Sequence, residues 1–156
     1  MLCPYYTIKD LIMCLHPSQE HSRKYYQKNY QKQKKVIVWK ILMVDNGEMT
    51  TPYFRQAVSF GNVLGTPEDK FSHIPYNLLY VGHNQQYYLF PRRIEGGVIH
   101  VFLHRKNARR DVRALNGDYL QKHFVVRCEA NINDFVACDS EEAAFTKIKV
   151  GYNEKR

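Results

Sequence analysis

The chain has 156 residues, 44% of them apolar and 24% charged, and a formal net charge of +8. That length and balance describe one globular domain, long enough to bury a core without disulfides or metals, and exclude a disordered chain. No window holds the roughly 18 apolar residues of a membrane span, and the start, MLCPYYTIKDLIMCLHP, lacks the basic region and cleavage site of a secretory signal.

Cys3, Cys14, Cys128 and Cys138 are widely spread with no CxxC pair, the pattern of reduced thiols in a cytoplasmic protein. The charge is concentrated in two places. Residues 1–35 carry seven cations against Asp10 and Glu20, and RKNARRDVR, Arg105 to Arg113, carries five against Asp111. The remainder is close to neutral, so the basicity is two patches on a neutral body.

In chain order, the first predicted element is a helix over 18–34. Pro17 suits its start, Glu20 its first turn, and Lys24, Lys28, Lys32 and Lys35 recur at helical spacing beside a Tyr26–Tyr30 seam. Its apolar content is nearly all aromatic, which predicts weak docking on a core. Residues 36–44, VIVWKILMV, form a strand apolar on both faces, with Lys40 as the interruption, and such a strand belongs at the centre of a sheet. Asp45-Asn46-Gly47 is its turn.

Residues 61–77 read as a long loop, and NLLYVGHNQQYYLFP reads as a hairpin turning near Gly82-His83-Asn84. In VIHVFLH, Ile99, Val101 and Leu103 make one face and Val98, His100, Phe102 and His104 the other. A helix follows, capped at Asn107 or a neighbour and ending at Asn116-Gly117-Asp118. In FVVRCE, Phe124, Val126 and Cys128 face inward. FVACD is a short strand, Asp139 with Glu142 fits a capping box for one helical turn, and FTKIKV closes the sheet. The sum is an α+β domain around a largely antiparallel sheet, with a basic helical segment at 1–35 and the core domain at 36–151.

Several pieces taken together resemble a known kind of domain. They are Trp39 to Val44, Pro52-Tyr53-Phe54, Gly97 to Phe102, Ala108, Val125 to Glu129, Phe135-Val136-Ala137, and Glu141 to Ala144 before Ile148. Their order resembles small α+β domains of unassigned activity encoded by phages and bacteria. The resemblance spans roughly 39–150 and implies a mobile-element setting, in which an anti-CRISPR-like inhibitor of host defence is the expected kind of protein.

The chemistry expected from the residues themselves is non-catalytic binding of nucleic acid, or of an acidic or nucleoprotein partner. Lysine and arginine neutralise phosphates, and tyrosines among them offer stacking surfaces for unpaired bases. The candidates are Arg23, Lys24, Tyr26, Lys28, Tyr30, Lys32 and Lys35 in the first patch, and Arg105, Lys106, Arg109, Arg110 and Arg113 in the second. No RRM, KH, zinc-finger or helix-turn-helix signature accompanies them, so sequence-specific reading is not expected. Twelve tyrosines also admit a homodimer.

The competing reading is enzymatic. His100, a tyrosine among Tyr80, Tyr87 and Tyr88, and Glu141 or Glu142 make a His, Tyr and Glu set that resembles one branch of the ADP-ribosyltransferases. That resemblance implies that His100 holds the nicotinamide ribose, Tyr87 stacks on nicotinamide and Glu142 stabilises the oxocarbenium-like state. Neither a metal nor a cofactor is expected on the binding reading: His100 and His104 have only His73, His83 and His123 as further ligands, at no recognisable spacing.

Overall fold

The computed structural model describes residues 15–32, 35–52, 56–65, 74–81, 89–94, 97–118 and 120–153. Helix α1 (Gln19–Lys32) leads into β1 (Lys35–Asp45), β2 (Glu48–Thr50), β3 (Val63–Gly65) and a single turn of helix, α2 (Tyr76–Leu79). Then come β4 (Ile99–Phe102), α3 (Arg105–Asp118), β5 (Lys122–Asn131), a 3-10 turn (Ile132–Asp134), β6 (Phe135–Cys138), β7 (Glu142–Phe145) and β8 (Lys147–Asn153). Among the described residues the eight strands form one sheet in the order β3-β8-β5-β1-β4-β7-β6, with β2 hairpinned onto β1. Every pairing is antiparallel. The protein has the α+β architecture and the antiparallel sheet expected of it.

β1 is central, as its two apolar faces require. It runs against β5 from Lys35 opposite Asn131 to Val44 opposite Lys122, and meets β4 at Trp39 opposite Phe102. Its end is a tight turn in which Asn46 and Gly47 both have positive φ, 52° and 79°. That is the conformation whose twist matches an antiparallel hairpin, and Asn and Gly reach it at low cost.

The alternation of side chains separates two cores. Val36, Val38 and Leu42 of β1 join Ile99, Val101, Phe124, Val126, Cys128 and Phe145 on one face. Helix α1 adds Tyr26 to that cluster, and α2 adds Tyr76. Ile41, Phe102 and Val125 point to the other face, where Ala108 and Leu115 of α3 cover them. Leu15 and Ile94, bridged to each other, cover the same face further along, over Val136, Ala137 and Ala144. The two longer helices therefore lie on opposite faces of one sheet.

α1 docks firmly despite its polar sequence. Ser18 caps it, its Oγ accepting from the His21 N–H at 3.2 Å. Ser22 is fully buried, donating to the Cys138 carbonyl at 3.1 Å and accepting from the Cys138 N–H at 2.9 Å. The rings of Tyr25 and Phe135 lie 5.1 Å apart, and those of Tyr26 and Tyr76 5.2 Å. Aromatic area and two buried hydrogen bonds do the work that aliphatic residues do in other helices.

Four expectations are corrected. The loop expected over 61–77 contains strand β3 and the start of α2. The first arm of the expected hairpin, from Asn77, falls within the helical turn Tyr76–Leu79, which Tyr76 anchors in the aromatic cluster; its turn at Gly82-His83-Asn84 lies outside the described residues. α3 begins before Asn107, which is buried inside the helix with its amide donating to Glu141 Oε1 at 3.0 Å. The Asp139–Glu142 capping box starts a strand rather than a helix. Asp139 Oδ1 accepts the N–H groups of Glu141 and Glu142, each at 2.7 Å, while the Asp139 N–H donates to the Glu142 carbonyl at 2.9 Å. That geometry closes the β6–β7 hairpin.

Candidate functional site

At one end of the sheet β1 begins, β4 ends and β6 turns into β7. A groove of about 490 Å³ opens there between α1 and the strand ends. The helix supplies one wall with His21, Lys24, Tyr25, Lys28 and Asn29. These residues fall at i, i+3, i+4, i+7 and i+8, a single face of a 3.6-residue helix. The opposite wall is Val36 and Ile37 of β1, Leu103 and His104 after β4, and Cys138 to Ser140 of the hairpin. Apolar and aromatic groups thus line the interior, and the charged residues of its walls are Lys24 and Lys28 against Asp139.

The electrostatics of this end are partitioned. Lys24 is paired with Glu20 one turn away, Nζ to Oε1 at 2.8 Å, and both are well exposed. Among the described residues Lys28, Lys106, Arg109 and Arg113 form no ion pair. Arg110 is different. Its Nη1 and Nη2 reach the two oxygens of Glu141 at 3.2 and 3.0 Å, and its Nε reaches Asp111 at 3.1 Å. The hydrogen bond from Arg110 holds the Glu141 carboxyl below its ordinary range, and His104 adds to the effect.

Beyond the hairpin turn, Glu142 points to the α3 side of the sheet. Burial, with Asp139, Asp111 and Glu141 adding to it, pushes its carboxyl up to about 8. On the α1 side, Lys40 is buried between Val38 and Leu42, and its Nζ donates to the His100 carbonyl at 2.9 Å. Burial lowers this ammonium to about 8. The thiols of Cys128 and Cys138 are also buried, and burial raises them to about 11 and about 12, so both behave as small hydrophobes.

The residues singled out from the sequence distribute unevenly. Lys24 and Lys28 line the groove, and Arg23 is exposed on a neighbouring face of α1. Tyr26 is 6% exposed and Tyr30 is 49% exposed, their rings stacked at 5.3 Å. Tyr26 therefore has no face left for a base, which corrects its place among the stacking residues. Lys32 ends α1. Lys35 lines a separate recess of about 190 Å³ with Lys147, Lys149, Glu129 and Asp134. Lys106, Arg109 and Arg113 follow one another along one side of α3, Lys106 and Arg113 exposed and Arg109 half-buried, and Arg105 is exposed at its start.

Of the alternative catalytic set, Tyr87 lies outside the described residues. His100 is buried at 4% exposure opposite Ala144, and Glu142 stands opposite Phe102, so the two are diagonal neighbours on the same face. Sequence reasoning missed His21, Asn29 and His104 as groove residues. The helical spacing from His21 to Asn29 was present to be read, but their shared wall with His104 depends on how α1 docks.

Among the described residues no helix is long and apolar enough to cross a membrane, and no group of three or more His, Cys, Asp or Glu side chains is placed to hold a metal ion. No protein-family model matches the chain, and no curated protein or solved structure matches it either.

Proposed function

We propose that this chain is a basic, non-catalytic binding protein that docks on nucleic acid or on a nucleoprotein complex. One observation carries the reading: the groove wall with Lys24 and Lys28 faces His104, and His104 leads directly into the helix that bears Lys106, Arg109 and Arg113. The two basic stretches, 70 or more residues apart in the chain, share one end of the sheet. Cations at a rim with aromatic and aliphatic groups beneath them suit a phosphate backbone whose bases are within reach. The resemblance to phage and bacterial domains supports a mobile-element setting and the blocking of a host-defence complex as the purpose of such docking. Free, buried Cys128 and Cys138 fit a reducing cytoplasm.

The test is fluorescence anisotropy with labelled single strands and duplexes across a salt series. Three or four phosphate contacts give a slope of about −2 to −3 in log K against log salt for a single strand. Absence of binding at low salt overturns the reading and redirects the search to an acidic protein partner.

A further inference from the structure

The two basic stripes share an end of the sheet but not a face. Ile99, Val101 and Leu103 pack on the α1 side, and Phe102 packs under α3. The chain crosses from one face to the other at Leu103-His104, and Arg105 is already the first residue of α3. A partner that touches Lys28 in the groove and Arg109 on α3 must therefore turn around the end of the sheet, past His104. Each stripe is short: Lys106 to Arg113, like His21 to Lys28, spans about 10 Å of helix at about 1.5 Å per residue.

Duplex DNA, with a persistence length of about 150 base pairs, does not make such a turn around one small domain without a bending cost that two short stripes have few contacts to offset. A single strand does, and its splayed bases can enter an interior lined by Tyr25, Ile37 and Leu103, which a duplex keeps stacked away. We infer that the ligand is a single-stranded nucleic acid, led along the α1 groove, around His104 and onto the outer stripe of α3. The inference rests on the binding function proposed above and narrows it to one substrate class. The path, two helical stripes and the turn between them, lies within the roughly 4–16 nucleotides that single-strand sites occupy.

The experiment compares a labelled strand of about 20 nucleotides with the matching duplex, using the full chain and three charge reversals. Lys28→Glu tests the groove, Arg109→Glu tests the stripe, and Lys149→Glu, away from both, is the control. The strand is expected to bind at least about tenfold tighter than the duplex. Lys28→Glu and Arg109→Glu each weaken the strand about tenfold and flatten its salt slope by about 0.7 or more. Together their effects multiply, while the control leaves affinity within about twofold. Exposed Arg113→Glu replaces Arg109→Glu if melting shows that the latter is unfolded. Equal or tighter duplex binding overturns the inference and leaves the binding function standing, as does a strand affinity indifferent to the α3 reversals. Failure to bind either form overturns both.

Discussion

Arg110 and Glu141 face each other as two forks, Nη1 to Oε1 at 3.2 Å and Nη2 to Oε2 at 3.0 Å. A helix and the hairpin at the end of the sheet are joined by that pair, with Asn107 donating to the same carboxylate at 3.0 Å. The most conspicuous arginine of the second basic stretch is thus already committed to an anion within its own chain.

Arg110→Ala is therefore expected to lower stability by about 0.2–1 kcal/mol, the range of an exposed pair, and to leave polyanion affinity nearly unchanged. Arg109→Ala should do the reverse. Thermal melts and salt titrations of both variants check the contrast, and a large loss of affinity from Arg110→Ala would contradict it. Acidification should erode the pair's contribution. The Glu141 carboxyl is depressed in the fold, so its share of stability is present above its ordinary value of 4.5 and is lost as pH falls through the lower folded value.

Tyr26 and Tyr30 are stacked neighbours with opposite fates. Tyr26→Ala removes a buried ring from the main core and should cost about 3–5 kcal/mol, read as a fall in the urea midpoint. Tyr30→Ala, at an exposed position, should cost less than about 1 kcal/mol. A Tyr26→Ala variant as stable as the native chain would mean that α1 is not anchored as described.

Glu142 and Lys40 make opposite pH demands. Glu142 is raised to about 8 from 4.5, so the stability it contributes is complete below pH 4.5 and is lost as pH rises through 8. Glu142→Gln should then gain about 1–2 kcal/mol on the native chain between pH 5 and pH 7, less than full linkage because the carboxyl is partly exposed. Parallel stability curves for the two proteins would refute the assignment.

Lys40 is lowered to about 8 from 10.5, so its contribution is present above pH 10.5 and is lost as pH falls through 8. Lys40→Met places an apolar chain of similar length between Val38 and Leu42 and should be at least as stable as the native protein at pH 7. Its advantage should narrow by about 1 kcal/mol between pH 8 and pH 9, as the native lysine sheds its proton in the fold. Cys128 is coupled to Lys40 by charge, but burial raises its thiol to about 11, so in the fold it stays protonated across this window. A gap that stays constant with pH would count against a charged Lys40 at neutral pH.

Gly151 sits beside the irregularity in the β5–β8 pairing, between Val126 and Cys128. A Cβ there would run into the Arg127 carbonyl oxygen, a backbone atom with no freedom to swing aside. Gly151→Ala should cost about 1–3 kcal/mol by melting, the usual penalty of overpacking. Gly117→Ala, with nothing within 4 Å, should not destabilise by clash.

What the sequence made legible was local. The two-faced apolar run of β1, the Asn46-Gly47 turn, the alternation in β4 and β5 and the cationic repeat of α1 each state their structure within ten residues or so. Asp139 with Glu142 misled because an Asp that gathers the next N–H groups serves a helix start and a hairpin turn equally well; the strand partners decide between them. Tyr76 turned helical through contacts with Tyr26 and Phe135, residues remote in the chain. The site depended still more on tertiary placement. That Arg110 meets Glu141, 31 positions away, and that the basic helices lie on opposite faces, are facts no charge run contains.

Ser22 has one further consequence. Among the described residues β6 is the last strand of the sheet, and the N–H and C=O of Cys138 turn outward, where they would stand open to a strand from another molecule. The Ser22 hydroxyl takes both groups, and the Ser18 N–H adds a second donor to the same carbonyl at 2.9 Å. The helix start acts as a stopper on the sheet's border. Remove the hydroxyl with Ser22→Val, and the border becomes a template for recruitment of a second chain, so that concentration-dependent assembly would appear in a protein whose own helix had kept it closed.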